Sequence, residues 1–238
     1  YYFRRLERPF RISSEQHNSS RAKTALSMKN KYVCRSKISE NKFRKIIRYF
    51  ALDLDAQKIA ALTGLNRNTV NRYLIRIRER IYSVCVRQSP FDQHPLALLE
   101  VTNGKAPIFG LKEEGQRVHT DLIPVQSTAR LRQCLRNDGD GGTLCLPERW
   151  ACYDGIVDME SRRLYGLTAF DGGRDDNNAC GRVIEDFLGF TQQRMFKSRL
   201  AVTDRFGLHL KECEFRFNHR DEDLYHLLLK MFRETPLS

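Results

Sequence analysis

The chain of 238 residues has no Cys-x-x-Cys pair, a single tryptophan, and no apolar run long enough to span a membrane. Its seven cysteines, at 34, 85, 134, 145, 152, 180 and 213, are odd in number and scattered. That pattern excludes a zinc ribbon and a fully paired disulfide framework. It fits reduced thiols in a cytosolic protein. The lack of a signal peptide, a long apolar helix or a lipidation motif argues against a membrane partner. Acidic residues are scarce at one end only. Residues 1–90 hold 6 Asp+Glu against 21 Lys+Arg, a balance of +15, and residues 91–238 hold 23 against 20, a balance of −3, which together give the net +12. A basic arm joined to a near-neutral body suits a polyanion, and the phosphate backbone is the expected one. The hydrophobic content of 41% is ordinary for a globular chain of one or two domains.

The densest local signal is Ala56–Ile81, AQKIAALTGLNRNTVNRYLIRIRERI. Ile59 and Ala60 share a face of a short helix. Gly64 supplies the positive φ that a tight turn needs, and Leu65 fills the gap after it. Asn66 is an N-cap for a second helix, on which Val70, Leu74, Ile77 and Ile81 make one apolar stripe. The spacing from Ala60 through Gly64 to Val70 fits the close contacts of a helix-turn-helix. Arg67, Asn68, Thr69, Asn71, Arg72 and Arg76 then fall on the outer face, where this motif meets base edges and phosphates in the major groove. Two amphipathic helices with a solvated basic face would read the same way locally; capping, turn, stripe and basic tip together favour DNA.

The remaining text sets the frame. Residues 1–38 read as a basic tail without regular structure, with residues 1–27 either preceding a natural start at Met28 or forming an arm that touches DNA. Ser39 is the cap of a helix over Glu40–Leu52 whose inner face is Phe43, Ile46, Ile47 and Phe50, and Asp53 and Asp55 end it and cap the next. This gives a three-helix helix-turn-helix domain at 39–87 and a linker at 88–95. Short strands are expected at 96–101, 107–111, 117–125, 143–146 and 163–168, with helices at 127–136, 179–197, 208–218 and 222–233, the last striped by Leu224, Leu227, Leu228 and Met231. The fold class is therefore α+β or α/β: the three-helix domain, then a ribonuclease-H-like mixed-sheet domain over 96–238 with C-terminal helices. In that architecture carboxylates from the first strand, the fourth strand and a late helix hold two magnesium ions about 3.5–4 Å apart.

The residues KNKYVCRSKISENKFRKIIRYFALDLDAQKIAALTGLNRNTVNRYLIRIRERI resemble the N-terminal region of insertion-sequence transposases of the ISXO-like group, related to the Merlin elements. GKAPIFGL, CYDGIVDM and LHLKECEFRFNHRDEDLYHLLLKMFRETPL resemble the same family's later segments. The resemblance implies a DDE-type transposase that cuts and joins DNA with Mg2+ or Mn2+, binds terminal inverted repeats and target DNA, and acts as a homo-oligomer on DNA. Carried over singly, the first catalytic Asp would follow Glu100-Val101, where Thr102 stands, and the text then runs directly into GKAPIFG. Glu100 shares a face with Thr102 but lies about 6.6–6.8 Å away along the strand. Glu148, before Trp150 and Tyr153-Asp154-Gly155, matches the second, and Glu185 in VIEDFLGF matches the third. Glu100, Glu148 and Glu185 are thus the implied catalytic and metal-binding set. Asp154 is either an acid behind the ligands or a turn former. Phe215 and Phe217 are expected to pack, and Arg216 and Arg220 to contact DNA or cap the helix.

Three functions remain open on this reading: an impaired transposase, a catalytically inactive DNA-binding descendant acting as repressor or competitor, and a transcription regulator with a ligand-sensing body.

Overall fold

Ser39 starts the first described helix as its text requires. Its side chain accepts the Lys42 N–H, and helix α1, Glu40–Ala51, buries Phe43, Ile46, Ile47 and Phe50. A computed structural model describes residues 30–91, 106–137, 150, 152–167, 179–197 and 205–237. The expected strands at 96–101 and 143–146 lie outside these, as do residues 1–29. Asp53 turns the chain at φ 60°. Asp55 then caps α2, Ala56–Thr63, which ends on Gly64 in the left-handed region at φ 64°. Asn66 caps α3, Arg67–Gln88, a 22-residue helix whose buried face is Val70, Tyr73, Leu74, Ile77, Ile81 and Cys85.

The sheet follows. Strands β1, Ile108–Glu114, and β2, Arg117–Leu122, form a hairpin around Gly115 at φ 63°. Helix α4, Val125–Asn137, separates them from β3, Gly155–Asp158, and β4, Arg163–Gly166. The strand order is β2-β1-β3-β4, and all three pairings are antiparallel. A mixed sheet was expected; two tight hairpins and the reversed β1–β3 pairing leave no parallel pair among these four strands. Strand β3 is not among the expected strands; all four of its residues are buried, which erases the alternation that marks a half-exposed strand.

Helices α5, Ala179–Lys197, α6, Phe206–Asn218, and α7, Leu224–Glu234, complete the molecule. One sheet face, with Ile108 and Ile156, packs on Leu131 and Leu135 of α4, Trp150 and Tyr153. The other, with Phe109, Leu111 and Val157, packs on Val183, Ile184 and Phe187 of α5 and on Phe206, Leu210, Cys213 and Phe217 of α6. A third core joins α1, α2 and α3 to Phe215, Leu228, Leu229, Phe232 and Leu237. Both ends of the described residues therefore share it. Tyr32 and Val33, within the stretch read as tail, are buried there, and Val33 bridges Leu237. The buried stripe of α7 is Leu228, Leu229 and Phe232, whereas Leu224, Leu227 and Met231 are only half-buried, because the helix turns Phe232 edge-on to Phe43 at 5.9 Å between ring centroids. Among the described residues no helix is long and apolar enough to cross a membrane.

Helix α6 is the spine between the layers. Every residue from Leu210 to Phe217 is buried, including Lys211, Glu212, Glu214 and Arg216.

Candidate nucleic-acid interface

Asn68, Arg72 and Arg76 follow one another at i, i+4 and i+8, so they line one face of α3 over about 12 Å. That face lies opposite the stripe buried against α1, α2 and α6. Arg67, Asn68 and Arg72 are exposed, while Thr69, Asn71 and Arg76 are half-buried. The helix begins where the Asn66 side chain accepts the Asn68 N–H at 2.8 Å, and no acid sits in its first turn. Its positive end is thus uncompensated.

The arginines of α3 divide into two groups. Among the described residues Arg67, Arg72 and Arg76 have no hydrogen-bond or ion-pair partner. Further along, Arg78 Nε donates to Glu212 Oε2 at 2.6 Å, Arg80 Nη2 donates to Pro236 O at 3.3 Å, and Arg87 Nε donates to Ser83 O at 3.1 Å. Arg78 and Arg80 fasten the middle of the helix to the body, Arg87 bonds back within α3, and the arginines of the N-terminal half stay unpaired among the described residues.

The fastening centres on Glu212. It also accepts from Arg194 of α5 at 3.1 Å and from Arg216 at 2.8 Å. Arg194 pairs in addition with Asp53. Arg216 extends the link to α1 by donating to Phe50 O at 2.6 Å and Ala51 O at 3.2 Å. It therefore caps a helix, though α1 rather than its own, and its burial removes it from DNA. Arg220 lies over the Phe217 ring and donates to Phe217 O and Gln116 O. Burial disfavours the Glu212 carboxylate, but Arg78, Arg216 and Arg194 outweigh it and hold its pKa down at about 2. His209, one turn earlier, is pushed down to about 4 by burial and then by Arg78.

Of the three implied metal ligands, Glu100 and Glu148 lie outside the described residues. Glu185 is exposed on α5, beside the face that buries Val183, Ile184 and Phe187 against the sheet. Among the described residues no group of three His, Cys, Asp or Glu side chains is placed to hold a metal ion, so they do not by themselves fit the magnesium pair. Asp154 proves to be a strut: its carboxylate accepts the Glu113 N–H at 2.7 Å and its backbone bonds Leu111 and Leu167. Asp158 is buried and engaged, accepting from Arg132 at 3.0–3.3 Å and from the Glu160 N–H at 3.0 Å.

Sequence reasoning found the capped, striped helix α3 but not the Glu212 junction. Nothing in LHLKECEF marks one acid as buried; only the packing of α6 on α3 and α5 brings the guanidinium groups of Arg78 and Arg194 to join that of Arg216. Comparison with protein-family models, with curated proteins and with solved structures returns no match.

Proposed function

We propose that this chain binds double-stranded DNA by laying the first turns of α3 in the major groove, at the terminal inverted repeats of an insertion element. The observation that carries the reading is the division of the α3 arginines. Arg67, Arg72 and Arg76 are uncommitted at the open, positive end of a helix whose opposite face is buried. A solvated helix face needs no such separation. Inverted repeats present the same half-site twice, so two copies of the chain would engage them. The basic N-terminal balance of +15 supplies attraction to phosphates.

The test is binding to a repeat-end duplex across a salt series. Arg67→Ala or Arg72→Ala is expected to weaken binding by about 1–3 kcal/mol where the side chain reads a base. Unchanged affinity in both would overturn the placement of the reading helix.

A second reading, strand cleavage and transfer by a DDE-type centre, draws on one observation: Glu185 stands exposed on α5 and forms no salt bridge among the described residues. It requires Mg2+- or Mn2+-dependent nicking that Glu185→Gln abolishes. Specific, salt-sensitive binding with no nicking assigns the chain instead to an inactive descendant that represses or competes. Affinity that changes only with a small ligand would assign it to a sensor.

A further inference from the structure

Between the start of α2 and the start of α6 lies an open cleft of about 690 Å3. Lys58 forms one wall, Arg205 and His209 the other, and Asn71 of the reader segment reaches its lining. Deeper in stand Arg78 and Arg194, both committed to Glu212. The carboxylates in the cleft are also accounted for. Asp53 pairs with Arg194, Glu212 with its three arginines, and Asp55 caps α2 through the Lys58 N–H at 2.8 Å.

The two outer cations remain. The Lys58 side chain is 67% exposed and its single ion pair, to an equally exposed Asp55, spans 3.6 Å. Arg205 is exposed and has no partner among the described residues. When the second helix of a helix-turn-helix enters the major groove, the first crosses the sugar–phosphate backbone. The backbone flanking that groove must then pass the start of α2, where this cleft opens beside Asn71.

We propose that the cleft is a second contact for the phosphate backbone of the duplex read by α3, gripped from the reader side by Lys58 and from the body side by Arg205. The inference rests on the DNA reading of α3 and adds to it that the body touches the DNA through Arg205, the residue that leads into α6. Committed arginines keep the cleft in shape; outlying ones neutralise phosphate. His209, uncharged near neutral pH, offers a ring N–H beside them.

The experiment measures binding of the full chain to a random-sequence duplex against salt concentration, for wild type, Lys58→Gln, Arg205→Gln and the double variant. Each lost phosphate contact lowers the slope of log K on log salt by about 0.9, so the double variant is expected to lose nearly 2. Both side chains are exposed, and thermal unfolding is expected to stay at the wild-type midpoint. A double variant with an unaltered slope overturns the cleft contact while leaving α3 as reader. A wild type without salt-dependent duplex binding sinks the reader itself. Inorganic phosphate that protects wild type as well as the duplex does, and no longer protects the double variant, would make the cleft a site for a small anion and overturn the backbone contact.

Discussion

Glu212 and Glu214 sit two residues apart on α6, both buried, and face opposite ways. Glu212 turns toward the reader side and collects arginines from α3, α5 and α6. Glu214 turns toward the sheet. It accepts the Thr120 N–H at 2.9 Å, the Thr120 hydroxyl at 2.6 Å and Lys211 Nζ at 2.7 Å. Near it, His119 Nδ1 is 3.9 Å from Glu214 Oε1 and has no hydrogen-bond partner among the described residues. One carboxylate is surrounded by permanent charge, the other mainly by dipoles and a single ammonium. The difference teaches how the two halves are joined: the three N-terminal helices are clamped to the spine by ion pairs, and the sheet is stitched to it largely by hydrogen bonds.

Glu212→Gln breaks this comparison most directly. Leaving the buried Arg216 and the half-buried Arg78 and Arg194 around a neutral amide is expected to cost about 3–5 kcal/mol. Glu214→Gln keeps an oxygen for Thr120 and loses mainly the lysine pair, so its expected cost is smaller, about 1–3 kcal/mol. Urea unfolding of the two variants settles the order; equal losses would show that the clamp and the stitching are equivalent.

Acid sharpens the same contrast. His209 is held at about 4 when folded against 6.5 ordinarily, so the unfolded chain binds its proton first. Stability is expected to fall as pH drops through that window, by on the order of 3 kcal/mol. Glu212 is held at about 2 against 4.5, so its contribution, present above 4.5, is lost on further descent toward 2. Two successive declines in the urea midpoint should appear, and His209→Gln should remove the upper one alone. A single decline in that variant and in wild type alike would contradict the placement of His209 in the clamp.

Gly110 probes the sheet without touching either carboxylate. A Cβ there would stand 2.6 Å from Tyr153 ring carbons. That ring is fixed by its hydroxyl on Asp121 at 2.6 Å and by Phe91 edge-on at 5.0 Å. Gly110→Ala is expected to cost about 1–3 kcal/mol, with the acid profile unchanged.

What the text disclosed and what it hid follow the range of the interactions. Ser39, Asp55, Gly64 and Asn66 act on neighbours within a few residues, so their caps and turn were readable, and so were the stripes of α1 and α3. Two partners of Glu212 come from residues 78 and 194, far along the chain, and Tyr153, ahead of β3, meets Gly110 of β1. No local pattern encodes such pairs. Arg216, expected to cap a helix or touch DNA, resembles any basic residue until α1 is set against it. The implied carboxylates were matched by likeness alone, and of the three the structure describes only Glu185.

The smallest effect concerns two buried thiols, one on the spine and one on α3. Cys85 Sγ lies 3.7 Å from Lys211 O on the Glu214 side, and burial raises its pKa well above the usual thiol range. Cys213 follows Glu212, and burial pushes it up to about 11. Neither presents a thiolate to an alkylating reagent at neutral pH, whereas Cys34 is exposed. Iodoacetamide followed by mass spectrometry is expected to label Cys34 in the native protein and to reach Cys85 and Cys213 only through opening. Because one helix carries both networks, Glu212→Gln should accelerate labelling of the two buried thiols by the same factor. Labelling of Cys213 that ran ahead of Cys85 would mean that the two cores open separately, and that the spine does not couple its two faces.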